Sequence, residues 1–237
     1  MTELVELWLY LSASPLFGLA ATVGVYVLAA SASTHLGQPP WANPVLWTVL
    51  ALAALLLASD TPYAAYFAGA QFIHVLLGPA VVALGWLLWR RRDALRAQAP
   101  AFVLAALVGG AAAAGSALLL GQAFGLPAEV LASLAPKSVT APVAMGIAER
   151  IGGIPALAAV FAVLTGLIGA VTGPYLLDAL RITSPALRGF ALGTAAHGIG
   201  AARALQVHPD AGSHAGLAFA LQAVLAALLL PLAMRLL

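Results

Sequence analysis

Long stretches without a charged residue alternate along this chain with short polar punctuation. No Asp, Glu, Lys or Arg occurs from Leu7 to Ser59, from Ala97 to Ala128, from Ile151 to Leu177 or from Ala211 to Met234. A helix needs roughly 20 apolar residues to cross the hydrocarbon core of a bilayer. The first run is long enough for two crossings and each of the others for one. The pattern predicts spans over 7–30, 45–59, 63–89, 101–124, 155–180, 185–206 and 211–236. A further segment over 127–150 is of a different kind, because it carries polar residues and prolines. The expected fold is an all-α integral membrane protein, one multi-pass domain over 1–237 with about eight membrane segments, one or two of them broken or re-entrant.

Composition agrees with the pattern. Hydrophobic residues make up 63% of the chain and charged residues 8%, against about 25% charged in soluble domains. The first run follows an acidic flank, "MTELVE", and is too long for the apolar core of a signal peptide, so it reads as a retained span. Cysteine is absent, which removes disulfides and thiolate metal sites from consideration. The net charge of +2 is too small to suggest a nucleic-acid partner. Asn43, before Pro44, reads as a helix cap, and "SDTP" (59–62) as a turn. "GGAAAAGSA" (109–117) lets helix backbones approach closely. His35, His208 and His214 read as loop residues, and Asp178 and Glu149 as partners for arginines at helix ends.

A weak internal repeat is present. "TPYAAYFAGAQFIHVLLGP" (61–79) parallels "IPALAAVFAVLTGLIGAVTGP" (154–174), pairing Pro62 with Pro155 and Gly78-Pro79 with Gly173-Pro174. It suggests two copies near 44–124 and 127–206, inverted across the membrane as in many secondary transporters. The basic residues complicate this. The positive-inside rule places both "RRRDALR" (90–96) and "RITSPALR" (181–188) in the cytoplasm, whereas inversion would put the second outside. A re-entrant 127–150 segment reconciles the charges at the cost of the inversion.

The segment "APKSVTAPVAMGIAERIGG" (135–153) holds the one lysine of the chain between two prolines. Pro136 and Pro142 each remove a backbone donor and disfavour helix in the residue before. The natural parse is a half-helix to Leu134, an unwound link "KSVTA", and a second half-helix from Pro142. Unwound backbone is tolerated at membrane depth only where it is buried in protein or lines a wet cavity. The second half-helix would present unpaired amides and its positive dipole end. With Lys137, Ser138 and Thr140 these make a site for a small anion, above all a carboxylate. The alternative is a surface loop with a solvated Lys137.

A second polar group lies in "RGFALGTAAHGIGAARAL" (188–205). Thr194 and His197 share a face of an ideal helix, while Arg203 lies roughly 120° away. A break at Gly198 and Gly200 would let His197 and Arg203 face one cavity, with His197 suited to proton coupling and Arg203 to carboxylate binding. Otherwise His197 is a packing residue and Arg203 snorkels to the interface. Gln71 and His74 are one turn apart in the third span, facing either a cavity or neighbouring helices. No nucleotide-binding, metalloprotease or serine-hydrolase motif occurs, so neither an enzyme nor a cofactor is expected.

The segments 135–174 and 184–205, with "YFAGAQFIHVLLGPAVVAL" (66–84) and "NPVL" (43–46), resemble the LrgB/CidB family. The Pro-Lys-Ser-Val-Thr and His-Gly-Ile-Gly elements carry the resemblance most specifically. It implies a multi-pass bacterial inner-membrane protein, usually accompanied by a small LrgA/CidA-type partner and described as an antiholin-like regulator of murein hydrolases and lysis. It also implies kinship to a plastid glycolate/glycerate translocator and to bacterial proteins linked to pyruvate uptake. These small monocarboxylates suit the anion site derived above. The expectation is a secondary transporter, dimeric by analogy. Lys137, Ser138 and Thr140 would bind the carboxylate, His197 and Arg203 would complete the cavity, and Thr194 and Gln71 would reach the substrate hydroxyl. A holin-like regulator of lysis is the alternative.

Overall fold

The computed structural model describes residues 16–76, Pro79, Trp86, Trp89 and 92–235. The opening of the expected first span, much of the second half of the third, and Arg90 and Arg91 of the arginine cluster lie outside the described residues, as does the His74 side chain. Among the described residues every regular element is helical. The chain divides into two compact units, Met1–Val82 and Ala83–Leu237.

The first unit contains α1 (Phe17–His35), α2 (Pro44–Ala58) and α3 (Tyr63–Val75), with a single 3₁₀ turn at Pro40–Ala42. Asn43 caps α2 as expected: its Oδ1 accepts from the amides of Val45 and Leu46 at 2.9 and 3.2 Å. Pro44 then occupies the first turn, where its missing N–H costs nothing. The turn at 59–62 also forms, with Asp60 in the left-handed region at φ 48°. Thr22 and Tyr66 join α1 to α3 through a 2.7 Å hydroxyl–hydroxyl bond.

The second unit contains α4 (Arg92–Ala123), α5 (Ala128–Leu134), α6 (Ala141–Arg150), α7 (Pro155–Ala179), α8 (Pro185–Val207) and α9 (Pro209–Ala233). Among the described residues four helices are long and apolar enough to cross a membrane: α1, α4 from Ala99, α7 and α9. α2 is apolar but has 15 residues, about 22 Å of helix against a core of about 30 Å. α8 has 23 residues, but it is interrupted and carries Arg188 and Arg203.

Small residues set the packing of this unit. The first half of α8 runs parallel to α9 in close contact. Gly193 lies so near Ala215 that a Cβ on it would fall 2.8 Å from the Ala215 Cα, and Gly189 meets Ala211 in the same way. Leu177, Leu192, Ala204, Ala215 and Phe219 close the core where α7 joins this pair. A second core unites Val139, Ala144, Ile147, Ala158, Ala162 and Ala226, so the link, α6, α7 and α9 share one apolar centre. In hydrocarbon such contacts gain from van der Waals packing rather than from expulsion of water.

Two of the three histidines expected in loops are placed differently, while His208 does lie between helices. His208 is the N-cap of α9, its Nδ1 accepting from the Asp210 amide at 3.1 Å. His214 lies inside α9, 3.3 Å from Asp210, and His35 closes α1. The reason is Pro209, which starts α9 earlier than the charge-free run suggests. Asp178 does pair with Arg188, which also donates to the carbonyls of Ile182 and Pro174.

Candidate functional site

Two interrupted helical segments meet in the second unit. The first is α5–link–α6. The link is a pair of tight turns rather than extended chain: Lys137 N–H donates to Leu134 O at 3.1 Å, and Val139 N–H to Pro136 O at 3.2 Å. Pro136 and Val139 are fully buried and anchor it. Ser133 ties α5 to the start of α7. Its hydroxyl donates to Glu129 O and accepts from the Ile154 amide, each at 2.7 Å.

α6 begins at Ala141, with Pro142 in its second position. Its N-cap is Thr140, at φ −62° and ψ 148°. A threonine there normally accepts from the amide two or three residues on. The first of those donors does not exist, because the residue is Pro142, and Thr140 makes no capping bond to the second. Its Oγ1 is buried without a hydrogen-bond partner, and so is the Oγ of Ser138. Each such oxygen costs on the order of 1–3 kcal/mol. The first intrahelical bond belongs to Ala144, to Thr140 O at 2.8 Å. The Ala141 and Val143 amides precede it and face the anion-attracting end of the helix. Lys137, half-buried, has no carboxylate within 4.0 Å among the described residues.

The second interrupted segment is α8, which bends at Ala196 and His197. His197 has φ 42° and ψ −134°, a conformation that disfavours any side chain. The bend brings the Leu192 carbonyl against Gly200. Residues eight apart on a straight helix are about 12 Å apart, so α8 is two helices in one. The expected break is present, but it falls on His197 itself and not on Gly198 or Gly200. The imidazole is buried, with Nε2 2.8 Å from Ala162 O on α7. Gly166 makes room for it: a Cβ there would be 2.8 Å from the ring Cε1 and Nε2.

The two interruptions touch. A Cβ on Gly198 would lie 3.9 Å from the Thr140 methyl group. The start of α6 therefore faces the start of the second half of α8. The sequence-predicted residues divide accordingly. Lys137, Ser138, Thr140, His197 and Gly198 belong to the crossing. Thr194 is buried, but its hydroxyl donates to Phe190 O within its own helix at 2.9 Å. Arg203 is buried and lines a separate cavity of about 330 Å³ with Arg188, Thr183 and His208. His197 does not line that cavity, because the bend at 196–197 precedes Arg203 and carries it elsewhere. Gln71 lies in the first unit, exposed, and donates to Ala68 O at 2.7 Å.

Beside Ser138 lies a cavity of about 410 Å³. Pro136, Ser138 and Val139 of the link, Ala106, Gly110 and Leu118 of α4, and Gln222 and Leu229 of α9 contribute to its walls. Gln222 is 5% exposed, and its Oε1 has no hydrogen-bond partner. Sequence reasoning missed this residue. Its signal was available: it is the one amide in an otherwise apolar α9 from Ala215 to Ala233. Among the described residues no group of three His, Asp or Glu could hold a metal ion.

Comparison with known proteins agrees with this architecture. The chain matches the LrgB-like family over residues 22–236. It is 37% identical over 193 residues to an uncharacterized protein, YxaC, of Bacillus subtilis, covering 81% of this chain and 84% of that one. It is 30% identical over 192 residues to a protein of Staphylococcus aureus named holin-like protein CidB, covering 81% and 84% respectively. No solved structure matches it. With the match running almost the length of the chain, through the link and both halves of α8, this multi-pass helical membrane protein belongs to the LrgB-like family.

Proposed function

We propose that this chain is a secondary transporter of small 2-hydroxy and 2-oxo monocarboxylates, such as glycolate, glycerate and pyruvate, in the bacterial inner membrane. One observation carries the reading. Two interrupted helices meet at Thr140 and Gly198, and two buried hydroxyls beside the meeting point, Ser138 Oγ and Thr140 Oγ1, have no partner. The helix N-terminus and Lys137 supply positive potential for the carboxylate, and the hydroxyls supply its hydrogen bonds. Access would alternate by movement of one helical bundle against another around this crossing. An LrgA/CidA-type partner and a homodimeric assembly follow from the family resemblance.

The name of the Staphylococcus relative favours a second reading, a holin-like membrane protein that governs lysis. A wide aqueous pore requires a polar face along whole spans. Here two of the buried unbonded oxygens, of Ser138 and Thr140, sit at one break, and the cavity beside Ser138 is walled mostly by Ala and Leu, which supports the transporter.

The test is uptake of labelled glycolate, glycerate and pyruvate into liposomes holding the purified chain, under an imposed pH gradient, with Lys137→Ala alongside. Saturable uptake, reduced about 100-fold or more in a folded mutant, is expected for loss of a buried charged contact. Equal uptake by the mutant removes the site assignment. Release of an enclosed dye in place of saturable uptake would establish the pore.

A further inference from the structure

We infer that Gln222 is the specificity-determining residue of the carboxylate site, and that its amide oxygen accepts a hydrogen bond from the substrate's 2-hydroxyl. The inference rests on the transport reading above. It begins from the placement of one side chain. Gln222 stands in the apolar part of α9, followed by Ala223, Val224 and Leu225. It is 95% buried by the complement of its 5% exposure, and its Oε1 is unbonded. A glutamine serving only to pack would be better replaced by leucine or methionine, which carry no polar atom to desolvate.

Its surroundings fix the amide. A Cβ on Gly110 of α4 would fall 3.0 Å from both Cδ and Oε1 and closer still to Nε2. The amide therefore fills the space above Gly110, Nε2 nearest, and no side chain at 110 can share it. Gln222 and Ser138 line the same cavity from opposite elements, α9 and the link, and each holds a buried oxygen that lacks a partner. The two oxygens differ in what they accept. A serine hydroxyl can donate to a carboxylate, whereas an amide oxygen can only accept. A 2-hydroxy acid offers one carboxylate and one hydroxyl donor on adjacent carbons and so answers both. A 2-oxo acid or a simple fatty acid offers no donor to the amide oxygen.

The cavity volume sharpens the inference. About 410 Å³ is far more than a two- or three-carbon acid fills, within the range of pockets for drug-sized ligands. Size alone therefore cannot select the substrate. Discrimination falls to the hydrogen bond, which rejects an analogue lacking the donor far more strongly than a hydrophobic wall rejects an extra methylene. Selection by the hydroxyl, with tolerance of chain length, is the pattern that follows.

The experiment is competition for labelled glycolate uptake in the liposome system, with matched sets: lactate, pyruvate and propionate, then 2-hydroxybutyrate, 2-oxobutyrate and butyrate. In the unmodified protein each hydroxy acid should compete about tenfold or more better than its oxo and deoxy counterparts. The two hydroxy acids should differ by less than about tenfold. In Gln222→Met and Gln222→Leu the hydroxy preference should fall to about one while carboxylate competition persists. Two substitutions of different shape, each checked for monodispersity, separate recognition from misfolding, since a merely structural role would lower all competitors together. An unmodified protein that transports acids without hydroxy preference, or mutants that keep it, would overturn the inference and leave the transport reading intact. If no acid is taken up at all, the transport reading fails and the inference with it.

Discussion

The two interruptions that build the site differ in cause. In the 135–140 link two prolines six residues apart favour the break, whereas Pro100, Pro174 and Pro231 each stand singly inside a helix. Pro136 and Pro142 lack donors, so a continuous helix would leave the carbonyls of Ala132 and Ser138 unanswered. In α8 nothing dictates it. Every residue from Arg188 to Val207 has a backbone amide, and glycine merely permits a bend. The bend falls on His197, which takes φ 42° although glycines stand at 198 and 200. Tertiary contacts hold it there: the ring bond to Ala162 O and the hollow at Gly166. One break is written in the local sequence. The other is held by the neighbouring helix.

That contrast can be broken most severely from α7. Gly166→Ala places a methyl group 2.8 Å from the imidazole, so the ring must leave its seat and lose the Ala162 bond. A loss of about 2–4 kcal/mol is expected from overpacking together with a buried unmet hydrogen bond. Thermal unfolding in detergent would report it, and an unshifted midpoint would mean that α7 does not hold the break.

The histidine itself offers a finer cut. His197→Ala loses the ring and keeps a side chain where φ is positive. His197→Gly loses the same ring and relieves the strain. If the backbone at 197 is strained, the glycine variant should be the more stable of the two by about 1 kcal/mol or more. The reverse order is expected if the second half of α8 simply continues the first, because glycine costs about 1 kcal/mol in an ordinary helix. The ranking of two melting temperatures decides it.

Much of the architecture was legible. The expected spans match α2, α7 and α8 to within a residue or two at each end, because Pro44, Pro155 and Pro185 open these helices. The Lys137 link was legible because proline acts locally. The surroundings of Arg203 were not legible for the opposite reason: they depend on a bend at Ala196 and His197 that contacts with Ala162 and Gly166, some thirty residues earlier in the chain, hold in place. Gln222 and Ser133 escaped notice because a single polar residue in an apolar helix has no periodic signature. Their partners, Gly110 in one case and Ile154 in the other, are distant in sequence.

The two glycines after His197 provide the smallest and most discriminating change. Sequence treats Gly198 and Gly200 alike, as a paired hinge. Structure separates them. A Cβ on Gly200 would meet Ala196 Cβ at 2.7 Å and press still harder on the Leu192 carbonyl. Gly200→Ala should therefore destabilise by about 1–3 kcal/mol. A Cβ on Gly198 would meet only the Thr140 methyl, at an ordinary 3.9 Å. Gly198→Ala should leave stability within about 0.5 kcal/mol. It nevertheless adds a methyl group at a point where the interrupted helices face each other. If the crossing is the substrate's seat, this variant should unfold like the unmodified protein and yet take up glycolate several-fold more slowly, a loss of roughly 1 kcal/mol in the terms of transition-state arithmetic. Full uptake by a stable Gly198→Ala protein would move the seat away from the crossing and into the cavity between Ser138 and Gln222.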